Sequence, residues 1–164
     1  MNKEERKELK KQSYLDDVCC DVYKLRPSDF KCGDDKVFLY SVYNRKSKIV
    51  KLGKSTDPVK RIKTHIANFM TYANADLNDL GYIFGRFPFP VEQDPEGVFL
   101  KTFKKYAEEP KSVRKNGKCI ATEGNKAAVI KNEFFCVKNL DSIRGKTRLF
   151  LFQLTQKLFN RETR

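Results

Sequence analysis

The chain has 164 residues, 40% hydrophobic and 34% charged, which suits one soluble globular domain with a sizeable core. No run approaches the ~18 apolar residues of a membrane span, and the charged opening MNKEERKELKKQ is unlike an export signal, so a membrane-spanning or secreted protein is not expected. A net charge of +13 points to an anionic partner, with nucleic acid ahead of an anionic membrane surface and of plain solubility.

In chain order, residues 2–13 alternate Lys/Arg with Glu and favour helix while lacking an apolar face, which predicts a frayed, tail-like helix. Tyr14, Leu15, Val18, Cys19 and Val22 fit a short amphipathic helix docked on the core. Residues 25–35, with Pro27, Ser28 and Gly33, read as a loop. Asp16-Asp17 and Asp34-Asp35 are explained by helix-start and turn chemistry, with metal ligation as the alternative. Residues 37–43 and 48–53 alternate in the strand manner around the polar 44–47, a hairpin. Gly53 closes its second strand. Thr56 or Asp57 can cap the next helix, Pro58 suits its first turn, and Val59, Ile62, Ile66, Phe69 and Met70 form its core face. Lys60, Arg61, Lys63 and His65 lie off that face, near a tight glycine turn where an anion is the expected partner.

Residues 81–87 read as a third strand completing a three-stranded sheet, ended by Pro88 and Pro90. Asp94-Pro95-Glu96 starts a second helix with Phe99, Leu100, Phe103, Tyr106 and Ala107 on one side, weakened near its start by Gly97. Residues 108–125 read as an exposed basic loop, and a loop of that length in a compact domain is more often functional or mobile than structural. Residues 127–137 are apolar enough for a buried strand or hairpin arm. Residues 140–160 place Ile143, Phe150, Leu154 and Leu158 near one face of a basic amphipathic helix, with Arg144, Lys146, Arg148 and Lys157 elsewhere on it. Residues 101–164 hold 16 basic and 6 acidic side chains against 18 and 15 before them, so the C-terminal third carries the field. The five cysteines are odd in number and include no C-x-x-C, which argues for small core residues in a reducing interior and against a disulfide framework or zinc site.

Phe38-Leu39-Tyr40, ten intervening residues, Lys51-Leu52-Gly53 and then Arg61 eight positions after the glycine resemble the opening of the GIY-YIG nuclease superfamily. The branch it looks most like is that of phages and large DNA viruses, whose second motif often reads KIG before a T-x-D-P-x-x-R helix start, here Ser55-Thr56-Asp57-Pro58-Val59-Lys60-Arg61. Phe38 replaces the first glycine and Lys51 the second tyrosine of the pattern. The resemblance implies a metal-dependent endonuclease in which Tyr40 helps deprotonate the attacking water, Arg61 grips the scissile phosphate and a helix-start carboxylate holds the metal. Glu96, followed by Leu100 one turn on, fits the E-x-x-x-L of relatives, with Glu92 in reserve; Glu133-Phe134-Phe135 resembles the segment that closes the viral domains. In the residues themselves, a phenol with pKa near ~10 needs a cationic neighbour or metal-bound water to act as base, and Lys51 is the neighbour if the hairpin register allows. A guanidinium presents a fixed fork to two phosphate oxygens, and His65, one turn beyond Arg61, can move a proton or touch phosphate.

The expectation is therefore an α+β fold: a small central three-stranded antiparallel sheet flanked by helices. It comprises an N-terminal helical extension (1–34), a nuclease-like core (35–138) and a C-terminal basic helix (139–164) in one compact domain. Its site would hold Tyr40, Lys51, Arg61 and His65 as catalytic groups, Glu96 on one Mg²⁺ or Mn²⁺ and Gly53 at the turn. Lys54, Lys111, Arg114, Lys115, Lys118, Arg144, Lys146 and Arg148 would hold the DNA backbone, with affinity falling steeply with salt. The viral likeness implies a place inside the host cell or virion. Two alternatives are a nucleic-acid-binding protein that keeps the fold without cleavage, and an adaptor whose basic helix meets an acidic partner.

Overall fold

The hairpin forms where strict alternation requires it. Strand β2 (Lys36–Asn44) pairs antiparallel with β3 (Ile49–Ser55), placing Tyr40 opposite Gly53 and Val42 opposite Lys51. In the turn, Asn44 Oδ1 accepts from the Lys46 amide at 3.0 Å, and Lys48 takes the left-handed conformation at φ 60°. The computed structural model describes residues 2–72, 74–104, 114–115, 118–119, 134–137 and 139–162.

The expected third strand, β4 (Leu80–Gly85), pairs with the other side of β2, setting Tyr40 opposite Phe84. The sheet does not stop at three strands. β1 (Tyr14–Val18) adds to β4, β8 (Phe134–Cys136) adds to β3, and the order is β1-β4-β2-β3-β8, antiparallel throughout; short β5 (Phe89–Pro90) pairs with the start of β2. The helix expected from Tyr14 to Val22 is thus half strand and half 3₁₀ turn (Cys19–Lys24). The outer edge of β4 presents peptide groups that must be satisfied, and β1 satisfies them. The spacing that looked helical comes from two separate contacts: alternation in β1, then Cys19 and Val22 packed under the turn. Burial pushes the Cys19 thiol up to about 12.

Helices cover both faces. Helix α2 (Pro58–Tyr72) lies on the face bearing Tyr40, Val42, Ile49, Tyr82 and Phe84, burying Val59, Ile62, Ile66 and Phe69 there. Asp57 caps it: its Oδ1 accepts from the Lys60 amide at 3.3 Å, and Ser55 Oγ accepts from the Asp57 amide at 2.9 Å. The opposite face, with Leu39, Tyr43, Val50, Leu52 and Ile83, receives α3 (Pro95–Lys104) through Phe99 and α4 (Leu140–Glu162) through Leu140, Ile143 and Leu151. Gly97 has a structural reason in α3. Asp94 turns left-handed (φ 48°) and accepts the Gly97 amide on Oδ1 at 3.2 Å, and any Cβ on residue 97 would strike that carboxylate. The core face of α4 includes two threonines the hydrophobic pattern does not mark: Thr147 and Thr155 are buried, each hydroxyl donating to the carbonyl four residues back at 2.8 Å.

The N-terminal helix α1 (Lys3–Gln12) is more than a tail. Asn2 and Glu5 form a reciprocal capping box, and the helix rests against α4 and β1. Among the described residues no helix is long and apolar enough to cross a membrane.

Candidate active site

Four of the residues singled out in the sequence converge on the α2 side of the sheet. Tyr40 crosses to β3 and lies over Gly53, where a Cβ would fall 2.5 Å from the phenol oxygen. The glycine is a steric requirement of the site: it leaves room for the phenol. From α2, His65 reaches the same point, with Tyr40 Oη and His65 Nε2 2.9 Å apart and the two rings 5.6 Å between centroids. Both residues are 1% exposed. Lys51, two residues before Gly53 on the same strand face, is also buried.

Two expectations about this site need correcting. Lys51 is not the cross-strand neighbour of Tyr40; the register pairs Lys51 with Val42 and gives Tyr40 the glycine, so the ammonium is diagonal to the phenol. His65 does not lie off the core face of α2. It is buried, while Met70, counted as core, is 43% exposed. Positions 62, 65, 66 and 69 make the inward stripe, and the histidine belongs to it because its ring has a polar partner inside.

The electrostatics follow from this burial. Loss of water first, then the charge of Lys51, then that of Arg61, lower the His65 imidazole to about 3, so the ring is neutral at pH 7. Arg61, exposed one turn before His65, supplies the cationic edge of the site. The arrangement is a phenol and a neutral imidazole joined inside the sheet, with one buried and one exposed cation beside them.

Glu96 is carried by another layer. It is half-buried in the first turn of α3, whose Phe99, three residues on, packs into the opposite face of the sheet against Phe150. Glu92 is exposed just before α3. Among the described residues no group of three His, Cys, Asp or Glu side chains could cage a metal. The structure does not bring Glu96 together with Tyr40, His65 and Arg61, which lie on the α2 side of the sheet.

The cations expected to hold DNA divide sharply. Arg144 and Arg148 face inward to Asp16 on β1. Arg144 Nη2 donates to both carboxylate oxygens at 3.2 Å, Arg148 Nη1 donates to Oδ2 at 3.0 Å, and Tyr43 Oη donates to Oδ1 at 3.2 Å. Arg144 also lies 5.2 Å from the centre of the Tyr43 ring. The expected role of these two arginines is corrected to an internal clamp between α4 and the sheet; the sequence did not show it, because Asp16 read as helix-start chemistry. Burial and the Asp16 charge push the Tyr43 phenol up to about 12, so it stays a donor. Lys146 is half-buried on α4 and Lys54 is exposed on β3. Arg114-Lys115 (β6) and Lys118-Cys119 (β7) form a two-stranded ribbon, while Lys111 and Glu133 lie outside the described residues.

No family model, no curated protein and no solved structure matches the chain.

Proposed function

We propose that the protein is a phosphodiester-cleaving nuclease acting on DNA, built on the Tyr40–His65 pair. The observation that carries this is the 2.9 Å contact between a phenol and an imidazole kept neutral, 25 residues apart in sequence and flanked by Lys51 and Arg61. A purely structural tyrosine would be satisfied by a backbone carbonyl at lower cost than a desolvated imidazole beside two cations.

In the tautomer with hydrogen on Nδ1, the phenol donates to Nε2. When a phosphate binds Arg61, its charge offsets one of the cations that depress His65, and the ring becomes a better acceptor at that moment. The phenol passes its proton to Nε2 while taking one from water. The water oxygen bonds to phosphorus, and the bond to the leaving oxygen breaks with its electron pair on that oxygen, which takes a proton from solvent. His65 then gives up its extra proton to solvent, and Arg61 stabilises the added negative charge on the phosphoryl oxygens. Glu96, the carboxylate that the resemblance assigns to the metal, belongs to the layer on the other face of the sheet, so no step of this reaction is routed through an ion held by it.

A second function draws support from a different observation: Tyr40 and His65 are each 1% exposed, and Glu96 is on the other layer of the fold. That geometry also suits a nucleic-acid-binding protein that keeps the hydrogen-bonded pair as a structural pin. Plasmid nicking with and without Mg²⁺ or Mn²⁺ separates the two. Metal-dependent nicking that is lost in Arg61→Ala and Glu96→Ala supports the nuclease; salt-sensitive binding without nicking supports the binder.

A further inference from the structure

Helix α1 separates its charges by face. At 100° per residue, Lys3, Arg6, Lys7 and Lys10 fall on one side, and Glu4, Glu5 and Glu8 on the other. The result is a run of like charges at the spacing where side chains meet: Lys3 with Lys7, Arg6 with Lys10, Lys7 with Lys11, and Glu4 with Glu8. Such pairs destabilise a helix, whereas glutamates placed four before lysines would stabilise it and give the same solubility. None of the four cations enters an ion pair among the described residues, although three glutamates share the helix. The four line a groove of about 410 Å³ whose floor is Phe152 of α4.

We infer that this groove is a docking track for the sugar-phosphate backbone of duplex DNA, independent of the Tyr40–His65 site. The stripe from Lys3 to Lys10 is roughly 10 Å long at 1.5 Å per residue, the length over which one strand of a duplex presents about three phosphates at 3.4 Å each. Charge complementarity therefore fits in both sign and length. A lipid surface fits poorly, because an interfacial helix needs a broad apolar face and Leu9 is the one apolar residue of α1. The stripe also supplies external cations where Arg144 and Arg148 do not, since those two are turned toward Asp16. The inference rests on the nucleic-acid function above but not on cleavage.

The test measures binding of the full chain to a 20-base-pair duplex in EDTA, as a function of salt, so that no turnover intervenes. The stripe variant replaces Lys3, Arg6, Lys7 and Lys10 by Gln, a good helix former that also removes the like-charge repulsion, so α1 persists. A charge-matched control replaces the exposed Lys24, Arg26, Lys31 and Lys46 by Gln. The stripe variant is expected to bind at least about tenfold more weakly, with a salt dependence shallower by about three in log–log slope, while the control shifts far less. Equal losses in both variants overturn the inference, because net charge alone then explains them. It is also overturned by unchanged binding in the stripe variant, or by wild type preferring anionic vesicles to duplex. Cleavage is scored separately with Mg²⁺ at saturating protein: absence of nicking in wild type, with the stripe effect intact, removes the nuclease function and leaves the track.

Discussion

Gly53, Tyr40 and His65 depend on one another for geometry. Gly53→Ala puts a methyl against the buried Tyr40 phenol, which must shift to admit it; this should cost about 2 kcal/mol by overpacking and displace Tyr40 from the imidazole. Chemical denaturation measures the first effect and loss of any nicking the second. His65 makes stability depend on pH in a definite direction. Its pKa is about 3 folded and near 6.5 unfolded, so the unfolded chain binds the extra proton between those values. Its contribution is fully present above pH 6.5 and is lost as pH falls toward 3. Between pH 6.5 and 5 the wild type should lose about 2 kcal/mol more than His65→Gln, at 1.36 kcal/mol per unit, and parallel losses in the two proteins would contradict the burial of a neutral ring.

Among the elements, α4 is tied to the sheet by Asp16, and the strength of that tie should differ between its two arginines. Removing the carboxylate leaves two guanidiniums and a phenol facing a partly dry site, so Asp16→Ala should cost about 2 kcal/mol. Arg148 is more exposed than Arg144, and its own truncation should cost ~0.5 kcal/mol. A double-mutant cycle between residues 16 and 144 measures the coupling. Strong local patterns made the hairpin, α2 and α4 legible in the sequence: alternation around 44–47, the Asp57-Pro58 start, the long apolar period after Asn139. β1 was not legible, because five residues with Asp16 and Asp17 in the middle become a strand only when the β4 edge is available. His65 was misplaced for a related reason. A polar side chain reads as outward until its partner is known, and the partner of His65, Tyr40, comes from strand β2, 25 residues earlier.

For the molecule as a whole, the +13 charge is distributed with more purpose than a count reveals. Part of it is engaged internally by Asp16, part lies along one side of α1, and Arg61 is exposed one turn before His65. Cleavage of DNA by Arg61 and Tyr40 is what we propose for this protein. Single-turnover cleavage of an end-labelled duplex tests it most directly, with Mg²⁺ or Mn²⁺, comparing wild type with Tyr40→Phe and the solvent-exposed, fold-neutral Arg61→Ala. Metal-dependent product is expected in wild type, with at least about a hundredfold slower cleavage in both variants when each is compared at saturating DNA. Equal cleavage in all three proteins, or none in wild type at saturating binding, would contradict it.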